Sequence, residues 1–367
     1  MTGRGRNGGR RLRRIAAAFG AHHLEHGPAS VASFLVLGVA LALAAGVGVA
    51  WDAGFGAVAH LLGHPNVFLL VLGLAGAAAA LLGYVLAYRE IARVDEGLEI
   101  GLPRTGALVA TGFGMFVPRG GFALDLEALR DLGVPLREAR VRVLGLGSLE
   151  YVVMAAAAFI SALLLLLRHA PVQHAVLLSW VIGVPAGTAL ALVAVRFRTV
   201  LCRGRVGDLI RPALEGIVVV GKILRRPREH AAAAVVGMAL YWASEVFVLW
   251  VCVAAFAHGT PSIPALVVGY ATGYALTRRT LPLAGAGAVE ALMPFALVWT
   301  GFALAPALLA VFAYRIFNAW LPIGPALAGL IALRLRRVTL VPDAEVGRDD
   351  GDVAPVEDPA GGGRVHG

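Results

Sequence analysis

Residues 272–320 read TGYALTRRTLPLAGAGAVEALMPFALVWTGFALAPALLAVFAYRIFNAW, an apolar stretch that nevertheless contains Arg278, Arg279, Glu290 and Arg315. An ionised side chain at bilayer depth costs roughly 2.5–3.5 kcal/mol on insertion scales, so such a residue faces a partner or a wet cavity. The same stretch is interrupted by Pro282, Gly285, Gly287 and Pro294, which predicts a broken or re-entrant helix here instead of two plain spans.

The surrounding chain sets the solvent. Of 367 residues 59% are hydrophobic and 15% charged, and the mean hydropathy is +0.78, whereas a soluble domain carries about 25% charged residues. The fold class predicted is an all-α polytopic membrane protein. A formal charge of +9 raises the question of nucleic acid, but the arginines fall in blocks between apolar runs, the pattern of cytoplasmic membrane loops, and nucleic acid is set aside as a partner. Cys202 and Cys252 define neither a disulfide framework nor a metal site, and His22, His23 and His26 have no closing fourth ligand. No nucleotide-binding, hydrolase or metalloprotease motif stands out, so no cofactor, metal or catalytic residue is assigned.

Working outward, six full spans are predicted: Val31 to Trp51, Val67 to Tyr88, Val143 to Leu167, Ala175 to Val195, Ala231 to Ala257 and Ala305 to Leu333. The 52–65 connection has no Lys or Arg and reads as external. Residues 89–104 and 196–230 are rich in arginine and read as cytoplasmic. Within the latter, LIRPALEGIVVVGKIL has the pattern of an amphipathic helix lying on the membrane surface. Residues 105–122, apolar but broken by Gly112, Gly114, Pro118, Gly120 and Gly121, lie between two basic segments, which fits a hairpin better than a crossing. The domain reading is a basic cytoplasmic tail (1–29), a membrane domain (30–337) and a disordered acidic tail (338–367), with both termini cytoplasmic.

The two broken segments share a pattern. Thr111, Pro118, Gly121, Asp125 and Gly133-Val134-Pro135-Leu136 correspond to Thr272, Pro282, Gly285, Glu290 and Gly301-Phe302-Ala303-Leu304. The offset widens only from 161 (Thr111 to Thr272) to 168 (Gly133 to Gly301). The charge-derived topology has the first segment entered after an inward span and the second after an outward one, so the copies form an inverted repeat, a recurrent transporter design. Arg119 and Asp125 are then expected near Glu290 and Arg315.

Leu281, Pro282, Gly285, Gly287, Glu290, Tyr314, Arg315 and Trp320 resemble the signature of the lysylphosphatidylglycerol synthase transmembrane family, in its flippase-like membrane domain only. Pro118, Gly120 and Gly121 resemble the family's upstream segment. Ala284, Ala286 and Asp125 depart from the family pattern. The resemblance implies a multi-pass domain of the cytoplasmic membrane that moves a phospholipid or lipid-linked anionic headgroup. It does not imply aminoacyl transfer, which in two-part members belongs to a soluble C-terminal domain. An envelope lipid-modifying enzyme or glycosyltransferase is the partner that such a role suggests. The alternative is a membrane-embedded enzyme or accessory subunit acting on lipid-linked substrates in envelope synthesis.

The side chains proposed to bind substrate are Arg315, Glu290, Arg278, Arg279, Arg119, Asp125 and Glu245. Pro118, Gly120, Gly121, Pro282, Gly285 and Gly287 shape the hairpin backbones. Arg315 suits a phosphodiester because the guanidinium fork matches two of its oxygens. Glu245 sits at mid-span, where protonation or pairing relieves its burial, and Glu150 is a further carboxylate at depth.

Overall fold

The computed structural model describes residues 28–94, 99–113, 125–126, 129–130, 133–225, 227–257, 259–276, 285–326 and 328. Among them the chain is helical and has no strand. The helices are α1 (Pro28–Ala53), α2 (Phe55–Leu62), α3 (Val67–Ala92), α4 (Leu102–Phe113), α5 (Leu136–Leu167), α6 (His174–Arg196), α7 (Arg198–Leu201), α8 (Gly204–Leu224), α9 (Arg228–Ala257), α10 (Ile263–Leu276), α11 (Ala288–Trp299) and α12 (Leu304–Arg315), which continues into a π-turn (Ile316–Trp320).

Six stretches are long and apolar enough to cross a membrane: Val36–Ala53, Val67–Ala92, Leu136–Leu167, His174–Arg196, His230–Ala257 and Leu304–Ala326. They coincide with the six predicted spans. In hydrocarbon the helices gain little from apolar burial against one another, so close backbone approach through small residues has to join them. On α3 the buried Gly73, Gly76, Ala80, Gly83 and Ala87 make one such stripe. It packs mainly on α9: Gly83 lies against the backbone of Tyr241 and Gly237, and Gly76 against Val248 and Phe247. α6 is the converse case, since only Val176 and Leu177 along it are buried.

The bundle has a basic end and an opposite end. At the basic end Arg142 of α5 donates to the Val94 carbonyl at 3.3 Å. Glu90 of α3 meets Arg93 and His230 Nδ1, each at 3.0 Å. At the opposite end the Gln173 amide donates to the Trp299 carbonyl and the Asn66 amide to the Ala255 carbonyl.

Within the 52–65 connection, after Gly54 at φ 84°, the Ala- and Leu-containing FGAVAHLL forms α2. The amphipathic α8 does not reserve its apolar face for lipid. Leu214, Val219, Val220 and Ile223 are buried, Gly216 and Val219 meet Leu144 and Gly145 of α5, and Arg137 donates to Glu215 at 2.8 Å.

α10 and α11 form an antiparallel pair of half-length helices. A Cβ on Gly269 would meet Thr300 and Leu297, and one on Gly273 would meet Met293, so the chain descends α10 and returns along α11 to the end it started from. Their lengths of 14 and 12 residues correspond to about 21 and 18 Å, short of the ~30 Å hydrocarbon core.

Two turns are built alike. Gly301, at φ 99°, donates to Val298 O while Phe302 donates to Leu297 O, a Schellman ending, and α12 starts at Leu304. Gly133, at φ 91°, donates to Arg130 O while Val134 donates to Leu129 O, and α5 starts at Leu136. The first turn sits at the opposite end of the bundle and the second at the basic end, so α5 and α12 run in opposite directions.

Candidate functional site

The tip of the α10–α11 pair depends on two glycines in the left-handed region, Gly285 at φ 69° and Gly287 at φ 83°, where a Cβ is strained. They aim the first turn of α11 into the bundle and bring Glu290 to its third position. One carboxylate oxygen of Glu290 accepts the Gly287 amide at 2.8 Å, which satisfies an otherwise open helix-start donor, and the helix dipole favours the negative charge there. The other oxygen accepts from Nε of Arg315 at 2.8 Å. Both partners are buried, Glu290 1% and Arg315 5% exposed. Arg315 lies eleven residues into α12, about 16 Å from its start, so the pair sits near mid-depth.

The neighbouring residue on α12 reaches a second carboxylate. Oε2 of Glu245, in the middle of α9, accepts from the hydroxyls of Tyr314 and Tyr270 and from Nδ2 of Asn318, the last at 2.6 Å; the two hydroxyls also touch at 2.8 Å. Asn318 stands in the π-turn, a departure from regular helix that recurs at functional sites. Glu245, Tyr270 and Tyr314 are all buried, so a charge here is stabilised by donors on two other elements and not by water.

A third carboxylate completes the centre. Oε1 of Glu150 on α5 accepts the hydroxyl of Tyr274, one turn along α10 from Tyr270, and the Glu150 carbonyl accepts from Nε1 of Trp242 at 2.9 Å. Trp242 packs edge-on against both tyrosines, with centroids at 5.8 and 4.7 Å, and Tyr270 and Tyr274 stack at 6.0 Å. This aromatic wedge fixes the two hydroxyls toward different glutamates. A mostly apolar cavity of about 580 Å³ lies at the opposite end, among the helix connections, lined by Pro171, Phe256, Pro261, Gly301 and Phe302 among others.

The structure thus brings together three of the predicted residues, Glu290, Arg315 and Glu245, and Gly285 and Gly287 stand at positive φ just before α11. Asp125 is buried and lies within electrostatic range of Tyr88, four residues from the basic end of α3. Arg119, Arg278, Arg279, Pro118, Gly120, Gly121 and Pro282 lie outside the described residues. Sequence reasoning passed over Tyr270, Tyr274 and Asn318 and left Glu150 outside the residues proposed to bind substrate. The Tyr270–Tyr274 spacing of four, which puts two hydroxyls on one helix face inside an apolar run, is the signal that finds them.

No metal-holding group of three or more His, Cys, Asp or Glu occurs among the described residues. No protein-family model matches the chain, and no curated protein sequence matches it either.

Proposed function

We propose that this chain is a flippase-like transporter that moves a phospholipid or lipid-linked anionic headgroup across the cytoplasmic membrane. In this reading α10 and α11 form a re-entrant hairpin entering from the external side. The observation that carries it is the Glu290–Arg315 pair at the hairpin tip, buried near mid-depth. A buried ion pair adds little to stability compared with apolar packing, so its presence calls for another role. Arg315 offers that role: a lipid phosphodiester can exchange with the Glu290 carboxylate as its acceptor. One oxyanion replaces another, and the arginine is never stripped bare in an apolar surround.

The inverted-repeat architecture draws support from the twin turns at Gly133 and Gly301, which lie at opposite ends and start antiparallel spans. The resemblance of Pro282, Gly285, Gly287, Glu290, Tyr314, Arg315 and Trp320 to the lysylphosphatidylglycerol synthase transmembrane family points the same way. The cytoplasmic placement of the basic end follows the positive-inside rule.

The test is reconstitution into vesicles carrying a fluorescently labelled phospholipid with a phosphatidylglycerol headgroup. Wild type is expected to accelerate its transbilayer movement and Arg315→Gln to lose that acceleration. If folded wild-type protein moves no anionic lipid, or the Arg315→Gln protein moves it as fast, the reading is overturned.

A further inference from the structure

Glu245 and Glu150 belong to different helices, α9 and α5, yet a single face of α10 supplies a hydroxyl to each, Tyr270 to Glu245 and Tyr274 to Glu150. We propose that these two glutamates bind the coupling protons of the transport cycle, and that α10 governs their uptake through Tyr270 and Tyr274. The inference rests on the transport reading and adds to it that the α10–α11 hairpin is the part that moves.

The argument is one of geometry. A buried carboxylate is held in its charged form by the donors aimed at it, and in an apolar surround it takes up a proton once they withdraw. Neither glutamate rides on the helix that carries its tyrosine. A displacement of α10 therefore takes one donor from each site at once, because residues four apart share a face, leaving Glu245 with Tyr314 and Asn318 and Glu150 with no other side-chain donor among the described residues. Each carboxylate then forms an O–H bond with a proton delivered by water, becomes neutral, and releases that proton when α10 returns.

The surroundings of Glu245 are tyrosine-rich. Tyr241 lies one turn away on its own helix, facing Tyr84 of α3. Tyr270 and Tyr274 come from α10, Tyr314 from α12, and Glu150 of α5 stands behind Tyr274. Of the charged groups on the packed helices, Arg315 gives its Nε–H to Glu290, Glu90 is engaged by Arg93 and His230, and Glu215 of α8 by Arg137. Asn318 adds a donor that does not titrate.

The experiment uses the full chain in vesicles of phosphatidylglycerol and phosphatidylcholine, with two readouts. Subtracting each variant's infrared pH-difference spectrum from that of the wild type is expected to isolate one titrating carboxyl C=O band for Glu245→Gln and another for Glu150→Gln. Tyr270→Phe, which keeps the carboxylate and the packing, is expected to shift only the Glu245 band, and Tyr274→Phe only the Glu150 band. In parallel, an imposed pH gradient is expected to speed movement of labelled phosphatidylglycerol in wild type and to have no effect in Glu245→Gln. Subtracted spectra with no carboxyl band for either glutamine variant overturn the proton sites whatever the lipid does. Translocation indifferent to the gradient overturns the coupling. Titrating bands without any lipid movement leave the proton sites standing and remove the transport reading instead.

Discussion

Arg315 and Glu290, 25 residues apart, meet through a single 2.8 Å contact between Nε and a carboxylate oxygen, and each is nearly inaccessible to solvent. Removing one partner leaves the other charged in an apolar surround, which costs about 3–5 kcal/mol. Arg315→Met is therefore expected to lower the melting temperature of the detergent-solubilised protein markedly. Glu290→Gln combined with Arg315→Met is expected to recover most of that loss, because no orphaned charge remains. A double variant as unstable as the single one would show that the pair is not coupled in this way.

The hairpin tip makes a second prediction. Gly287→Ala forces a Cβ into a left-handed residue, at about 1–2 kcal/mol, and places it 3.2 Å from Leu41 of α1. Gly54 has nearly the same φ, 84°, but open space around it. Thermal unfolding is expected to rank Gly287→Ala as the more damaging change, by the cost of displacing α1.

The α3–α9 seam makes a third. A Cβ on Gly83 would lie 2.5 Å from the Tyr241 amide nitrogen and 2.6 Å from the Gly237 carbonyl oxygen, backbone atoms that cannot step aside. Gly83→Ala should cost on the order of 1–3 kcal/mol through overpacking. Gly48→Ala, in α1 with nothing nearby, should be neutral or stabilising by up to about 1 kcal/mol. Equal melting temperatures for the two variants would contradict the packing described.

The tyrosines separate by how many donors their glutamates keep. Glu245 retains Tyr314 and Asn318 when Tyr270 becomes Phe, whereas Glu150 loses the one side-chain donor it has among the described residues when Tyr274 becomes Phe. An unsatisfied buried acceptor costs about 1–3 kcal/mol. Stability measurements should place Tyr274→Phe below Tyr270→Phe.

How far these features can be read from sequence follows from the physics of each. The spans are legible because hydrocarbon demands a continuous apolar run of fixed length, and Val67–Ala92 or His230–Ala257 can hardly be anything else. Glu290, Arg315 and Glu245 are legible because a charge in such a run is costly. Tyr270, Tyr274 and Asn318 escape notice because they are ordinary residues in an apolar helix until a carboxylate from another helix is set opposite them. The α8–α5 contact escapes for a related reason: an amphipathic pattern states that one face is apolar but not whether lipid or protein covers it. α2 was missed because eight residues without charge lie below the length that marks a span.

One consequence concerns the π-turn at Ile316–Trp320. A single wide turn absorbs one extra residue, so the portion of the last span after Trp320 is out of phase with α12 by about 100°. The span is in effect two helical rulers joined with a slip, one calibrated to the tyrosine and arginine pointing inward, the other to whatever the chain meets next. Loss or gain of one residue between Ile316 and Trp320 would change the facing of everything downstream while leaving length and hydropathy almost untouched. Insertion tolerance along this helix is therefore expected to be uneven, lowest across the slip.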